Sequence, residues 1–452
     1  MSDTTTSADG TPGAATAVPA QSAGSSTGHA AYYHGSHQWF HGDHRRIGGP
    51  EAWLIWVLAT TFVVWLFAIQ TGYAVVSPDI QNDASLTIGQ IGLAASIYTW
   101  VFALVQFFSG ALLDRFGPRP LMAIAVAFVT VGAFLYAGTT NFGTLATAQA
   151  VLAIGSSFGF VGAGYLGGNW FGAAKYGLMF GLVQTFASLG SAIGQPLILA
   201  TLDNLTWQEL LVAFGVFGVI LTVLFFAFVR NPAPAPGVVV EKPKGNVFAN
   251  ILRDLGKAFS NVRVVLASIL AGASFGAMLA VGTLWGPRIM EARGAETDFA
   301  TVLTALAWLG LAVGAPLANI VSNRWGSRKW PAFYALVLQA LAIALVIYLP
   351  EEGKGAALTL MFAIGFFAGG HMLGFTIAGE VVPGRLVGSA SAIVNGICFI
   401  VGGLLQSIPS QLLPDDADLA DFQTALWLIP VVVVIGAIAS LFISEKKPAT
   451  AA

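Results

Sequence analysis

Apolar residues run through this chain in long blocks separated by short polar breaks. Crossing the hydrocarbon of a bilayer takes about 20 such residues. Blocks of that order lie at 52–76, 88–113, 121–138, 143–168, 175–201, 208–230, 262–290, 299–322, 331–350, 355–379, 386–413 and 422–444. The pattern predicts an all-α membrane protein with twelve transmembrane helices. Composition agrees: 56% of the 452 residues are hydrophobic and 9% are charged, whereas a soluble domain carries about 25% charged residues. The single cysteine, Cys398, sits inside an apolar block, which excludes a disulfide framework and a thiolate metal cluster.

An even number of spans returns both ends of the chain to one side. With both termini cytoplasmic, every Lys and Arg except Arg288, Arg293 and Lys354 falls on the cytoplasmic side, as the positive-inside rule requires. Asp415, Asp416, Asp418 and Asp421 crowd one outer loop. The first apolar block begins after residue 50 and continues as a full span, so no cleaved secretory signal is predicted. The expected location is the cell (inner) membrane.

The polar breaks divide the chain further. Residues 1–50 form a tail that begins with Ser, Thr, Ala and Gly and carries five of the six histidines. Residues 231–260, with Pro232, Pro234, Pro236 and Pro243, are the longest interior polar segment. They are predicted to link two six-helix bundles at 51–230 and 261–445, with a short amphipathic helix on the membrane surface near 246–259. A short tail, 446–452, closes the chain.

The bundles repeat one another. Gly110-Ala-Leu-Leu-Asp114-Arg115-Phe-Gly117-Pro-Arg119 lies between the second and third blocks, and Asn319-Ile-Val-Ser-Asn323-Arg324-Trp-Gly326-Ser-Arg328 lies between the eighth and ninth. A shift of similar size pairs Gln184 with Asn395 and Gln195 with Gln406. The first loop resembles the G-x-x-x-D-R-x-G-x-R signature of the major facilitator superfamily of transporters. That resemblance implies two pseudo-symmetric six-helix bundles with a site at the midplane between them. It further implies that Asp114 engages the start of span 11 when the cytoplasmic side closes. Gly110, Arg115, Gly117 and Arg119 complete that gating loop; Asn323 and Arg324 are its counterparts in the second half, and Glu380 and Arg385, which lead into span 11, join the gating set there. By its own chemistry, Gly110 would let a neighbouring helix approach closely. Asn323 cannot carry the charge of Asp114, so the second latch is expected to be weaker.

No Asp, Glu, Lys or Arg lies near the centre of any block, which argues against a strongly charged solute held by a buried counter-ion. His371 is the one ionisable side chain well inside a span. Its ordinary pKa of about 6.5 suits proton coupling or solute binding; the alternative is a neutral histidine bonded to a backbone carbonyl of a neighbouring helix. Gln70, Tyr73, Tyr98, Gln106, Gln184, Trp285, Trp308 and Asn395 are the other candidate solute-binding residues, because buried polar groups need partners. Trp285 precedes Gly286-Pro287, which should break span 7 near its outer end, as a gate or simply as the end of the span.

In the tail, His37, His41 and His44 have a workable metal-ligand spacing. The favoured reading is a juxtamembrane segment anchored by Arg45 and Arg46, with no metal and no cofactor. The chain is thus expected to be no enzyme but a monomeric secondary transporter. It would bind lipid bilayer and a small-molecule substrate, with a co-transported proton as a candidate partner, and no nucleic acid. Tyr73 to Pro118 resembles the organic-anion branches, including the oxalate–formate exchangers, which points to an organic acid. A neutral or zwitterionic amino-acid-like solute, or an exported amphipathic compound, is the alternative. A membrane enzyme would need a titratable cluster at the surface, and a sensor would need an added soluble domain. Replacing Asp114 with Asn is expected to impair transport far more than changing Asn323, read as initial uptake rate at matched protein level. Equal effects would remove the distinction between the two loops.

Overall fold

The computed structural model describes residues 48–171, 176–230, 246–349, 353–383 and 386–444. The histidine-rich tail, most of the linker, Lys175, Arg385 and the C-terminal tail lie outside the described residues, as do the side chains of Asp114 and Arg115. Among the described residues, 12 helices are long and apolar enough to cross a membrane. Spans 1 to 6 are Pro50–Asp83, Ile88–Gly110, Pro118–Ala137, Phe142–Phe171, Gly181–Leu202 and Trp207–Phe228. Spans 7 to 12 are Val262–Ala292, Thr297–Trp325, Lys329–Tyr348, Lys354–Glu380, Gly388–Leu412 and Leu419–Leu441. The side carrying the turns at Gly117 and Gly326 is called the motif side below, and the other the far side.

Local chemistry sets the element boundaries. Thr87, Asn141, Thr206 and Asp418 cap spans 2, 4, 6 and 12 on the far side, each in a reciprocal capping box. Such boxes satisfy the free N–H groups of a first turn. Span 1 runs past its predicted end at 76 to Asp83 and contains Pro78; Ser77, Asp79 and Gln81 interrupt the apolarity there but not the helix. Span 10 tightens into a 3-10 turn at Gly369–His371, and span 7 loosens into a π-helical turn at Val281–Trp285. The linker helix Val247–Phe259 buries Ile251 and Ala258 and leaves Phe248, Leu252 and Phe259 exposed.

The repeat in sequence is a repeat in packing. Span 1 packs on span 5, span 2 on span 4 and span 3 on span 6; span 7 packs on span 11, span 8 on span 10 and span 9 on span 12. These are the same three pairings six helices later. Between the halves, span 2 meets span 11 and span 5 meets span 8, the exchange that a two-fold axis along the membrane normal produces. Both signature turns also keep their left-handed glycine, Gly117 at φ 77° and Gly326 at φ 62°, where a side chain would be strained.

Spans 8 and 10 touch main chain to main chain. A Cβ added to Gly310 or Gly314 of span 8 would lie 2.2 Å from the Phe362 carbonyl oxygen and 2.0 Å from that of Phe366. One added to Gly365 or Gly369 of span 10 would lie 1.6 Å from the Ala307 oxygen and 2.2 Å from the Gly314 carbonyl carbon. Two pairs of glycines, each four residues apart, thus let the backbones meet, as small residues do in membrane helix pairs. Gly365→Ala is expected to cost about 1–3 kcal/mol by overpacking, seen as a lower melting temperature of the purified protein. Gly181→Ala, where an added Cβ meets nothing within 4 Å, should leave it unchanged.

Candidate functional site

The far side is closed around one backbone carbonyl. In the π turn of span 7 the N–H of Gly286 goes to the Val281 oxygen. The next residue, Pro287, has no N–H to offer Gly282. The Gly282 carbonyl is thereby left for side chains. Gln195 of span 5 donates its Nε2 to it at 2.8 Å and to the Thr71 carbonyl of span 1 at 3.0 Å. Trp308 of span 8 donates its Nε1 to the same Gly282 oxygen at 3.1 Å. One residue on, Gln406, the repeat counterpart of Gln195, donates to the Thr283 hydroxyl at 2.6 Å. The Trp285 indole reaches the Leu405 carbonyl at 2.8 Å. The sequence anticipated a break before Gly286-Pro287; the observed break is a π turn, and it holds the two halves together.

Further bonds seal the same side. Ser96 donates to the Gly403 carbonyl at 2.7 Å, Gln411 to the Gly89 carbonyl at 3.0 Å, and the Ile88 N–H to Asp415 Oδ1 at 2.9 Å. A shallow groove of about 240 Å³, lined by Thr87, Gly89, Ser410, Gln411, Leu413, Pro414 and Asp415, marks the seam. Arg288 of span 7 donates to Gln81 of span 1 at 3.0 Å.

Below this closure an aromatic ladder crosses from one half to the other. Tyr98 lies 6.2 Å from Phe102, which stacks at 3.9 Å on Phe399 of span 11. Phe399 lies 5.9 Å from Phe275 of span 7, and Phe275 lies 4.8 Å from His371. Two predicted residues, Tyr98 and His371, therefore occupy opposite ends of one ladder. Its inner rungs carry no sequence signal, since a phenylalanine in an apolar block looks like core. His371 is buried and its Nδ1 donates to the Ala368 carbonyl at 2.7 Å, on its own helix. The proton that would charge it must add at Nε2. A separate contact between halves joins Phe67 to Trp308 at 6.3 Å.

The other candidates divide around the ladder. On the motif side, Gln106 bonds Ser109 and Gln184 bonds Ser188, at 2.9 and 3.0 Å, while Asn395 is half-buried one turn before Phe399. On the far side, Gln70 is buried with its Nε2 unbonded, and the Tyr73 hydroxyl donates to the Ile91 carbonyl at 2.7 Å. The Tyr98 hydroxyl lies beside Ser156 without a hydrogen bond of standard geometry. Trp285 and Trp308 are fully buried, with their N–H groups bound to carbonyls of the closure.

On the motif side one expectation is corrected. Among the described residues an added Cβ at Gly110, or at Gly388 of span 11, would meet nothing within 4 Å, so no described helix makes the close approach expected at Gly110. Arg119 donates to the Phe226 carbonyl at 3.3 Å. In the second half Arg324 and Asn323 are exposed. Arg328, the counterpart of Arg119, forms a 3.0 Å ion pair with Glu380 and also bonds Ser322 and Asn323. The second loop is therefore tied to the end of span 10 within its own half.

Two repeated bundles meeting along spans 2, 5, 8 and 11 describe a membrane transporter rather than an enzyme. A family model for the Major Facilitator Superfamily matches residues 57–407, and the chain belongs to that superfamily. It is 24% identical over 385 residues to the probable sulfoacetate transporter of Cupriavidus necator, covering 82% of this chain and 89% of that one. It is 21% identical to the D-galactonate transporter of Escherichia coli, covering 87% and 96%. With the hexuronate transporter of Bacillus subtilis the identity is 22%, over 74% of this chain and 81% of that one. Among solved structures it resembles the nucleoside transporter NupG, with TM-score 0.68, 13% identity and 86% and 100% coverage. It also resembles a bacterial homologue of the lysosomal transporter Spinster, with TM-score 0.67, 16% identity and 88% and 97% coverage.

Of the two bonds of Gln195 only that to Gly282 joins the halves, so its removal should weaken the closure by roughly 1 kcal/mol or less, the scale of one hydrogen bond in a membrane. That multiplies the far-side-open population up to about 5-fold. Ser410, buried under Gly92 at the seam, is a reporter position. In a Cys398→Ser, Ser410→Cys background, Gln195→Ala should accelerate labelling by an impermeant maleimide applied from the far side. Unchanged labelling would show that Gln195 does not hold the seam.

Proposed function

We propose that this chain is a secondary active transporter of small organic acids, working by alternating access around the ladder between its halves. The halves are 51–230 and 261–445, joined by the 231–260 linker. The motif side faces the cytoplasm, with both termini, in the inner membrane. The single observation that carries this reading is the asymmetry of the contact between halves. Side-chain hydrogen bonds tie the far side shut, while on the motif side no described residue lies within 4 Å of a Cβ added at Gly110 or Gly388. This is the state from which solute would exchange with the cytoplasm. Asp114 and its neighbours would close that side in the alternate state.

The solute class follows from the relatives and from the amides. Sulfoacetate, D-galactonate and hexuronates are small, hydroxylated or short-chain acids. Gln106, Gln184 and Asn395 offer neutral hydrogen-bonding groups just inside the motif-side mouth, and Tyr98 and His371 end the ladder above them. His371 is the residue proposed to couple uptake to protons.

Uptake of labelled sulfoacetate, galactonate and glucuronate into proteoliposomes, with and without an imposed pH gradient, tests the reading. Saturable uptake of at least one acid is expected. Stimulation by the gradient marks proton coupling, and stimulation by internal unlabelled acid marks exchange. Uptake confined to a neutral or zwitterionic amino acid would replace the organic-acid reading with its rival. His371→Gln should flatten the dependence of uptake on pH; a profile identical to that of the unmodified protein removes the coupling role.

A further inference from the structure

Arg288 stands in an unusual position for a cation. It lies in the last turns of span 7, half-buried, and its Nε is shielded from solvent without a partner. Among the described residues its one hydrogen bond is to the neutral amide of Gln81, and no carboxylate lies within ion-pair distance of it. The charged or titratable groups that feel its charge are Tyr73 and, one turn on along its own helix, Glu291. Asp83 on span 1 is taken by the Trp207 indole at 2.8 Å. A guanidinium with five donors and no anion is a site short of one ligand.

Span 1 extends that site inward. Gln70, Tyr73, Ser77 and Gln81 recur at the spacing of one helix face, and the last of them holds Arg288. Ser77 Oγ and Gln70 Nε2 are buried without a hydrogen-bond partner, a cost that native structures seldom leave unexplained. Each can donate and has nothing to donate to. Arg288 and Gln81 belong to different halves, so opening the far side must break their bond. The guanidinium is then released at the head of a row of unsatisfied donors.

We infer that Arg288, with the Gln70–Tyr73–Ser77 face of span 1, is the far-side entry site for the acid group of the solute, a carboxylate or sulfonate, and that Gln81 only occupies the arginine while that side is closed. Hydroxyl or second acid oxygens follow down the face to Ser77 and Gln70. When the anion moves inward, Gln81 takes its place on the arginine and the far side closes. The organic-acid preference of the protein then comes from a cation at the gate rather than one at the midplane. This inference rests on the organic-acid reading above.

The test is uptake from the far side by the full-length protein in proteoliposomes, with sulfoacetate, galactonate and glucuronate as probes. Arg288→Gln should raise KM about tenfold or more, as expected for losing charge-assisted hydrogen bonds. Arg288→Lys should recover part of the affinity, since it restores the charge without the fork. Gln81→Met removes the bond but keeps the cation, so its KM should hold or fall. Melting temperatures of the purified variants establish that each is folded, and Gln81→Met carries the comparison if Arg288→Gln is not. If Gln81→Met reproduces the Arg288→Gln defect, the arginine is a closure contact and the inference fails. An unchanged KM in Arg288→Gln, beside normal acid uptake by the unmodified protein, overturns it while leaving the organic-acid reading intact. Absence of acid uptake by the unmodified protein overturns both.

Discussion

The far-side closure depends on a carbonyl that its own helix cannot satisfy. In a bilayer every backbone oxygen needs a donor from protein, because lipid has none. Pro287 withdraws one donor and the π turn diverts the neighbouring one to Val281, so Gly282 must be served by side chains from spans 5 and 8. A local defect in one helix is thereby turned into a joint among three. The glycine is as necessary as the proline: a Cβ at 282 would press on the Trp308 indole at 2.7 Å.

The two halves are alike in packing and unlike in detail. Gln195 and Gln406 are related by the repeat, yet both point at span 7, at adjacent residues. Neither glutamine has a hydrogen bond to its Oε1, so the carbonyl ends of both amides remain available to a donor. The signature loops differ similarly. Where the first loop carries Asp114, the second ties Arg328 to Glu380 across exposed surface. Such a pair contributes little to stability, and its value is in fixing the turn against span 10.

Much of this was legible in the residue pattern. Twelve apolar blocks, a repeated loop and paired amides sufficed for the twelve spans and the two-bundle fold, and Trp285-Gly286-Pro287 marked the break in span 7. What escaped was of two kinds. The ladder through Phe102, Phe399 and Phe275 is built from residues that any membrane core contains, and only coordinates distinguish rungs from filling. Arg288 and Gln81 were hidden by span ends. Hydropathy closes span 1 at 76, while the helix carries its polar face on to Asp83. Likewise Gly110 is flagged by its loop, but whether a neighbour occupies its surface depends on which side of the protein is open.

The glycine seam between spans 8 and 10 has a mechanical meaning. Backbones in contact at Gly310, Gly314, Gly365 and Gly369 leave no room for a side chain between the two helices at those positions. The 3-10 turn bearing His371 begins at Gly369, and Trp308 precedes Gly310 by two residues. The membrane-embedded histidine and the indole that grips Gly282 are therefore carried on two backbones in direct contact, so a shift at one is passed to the other without an intervening side chain to absorb it.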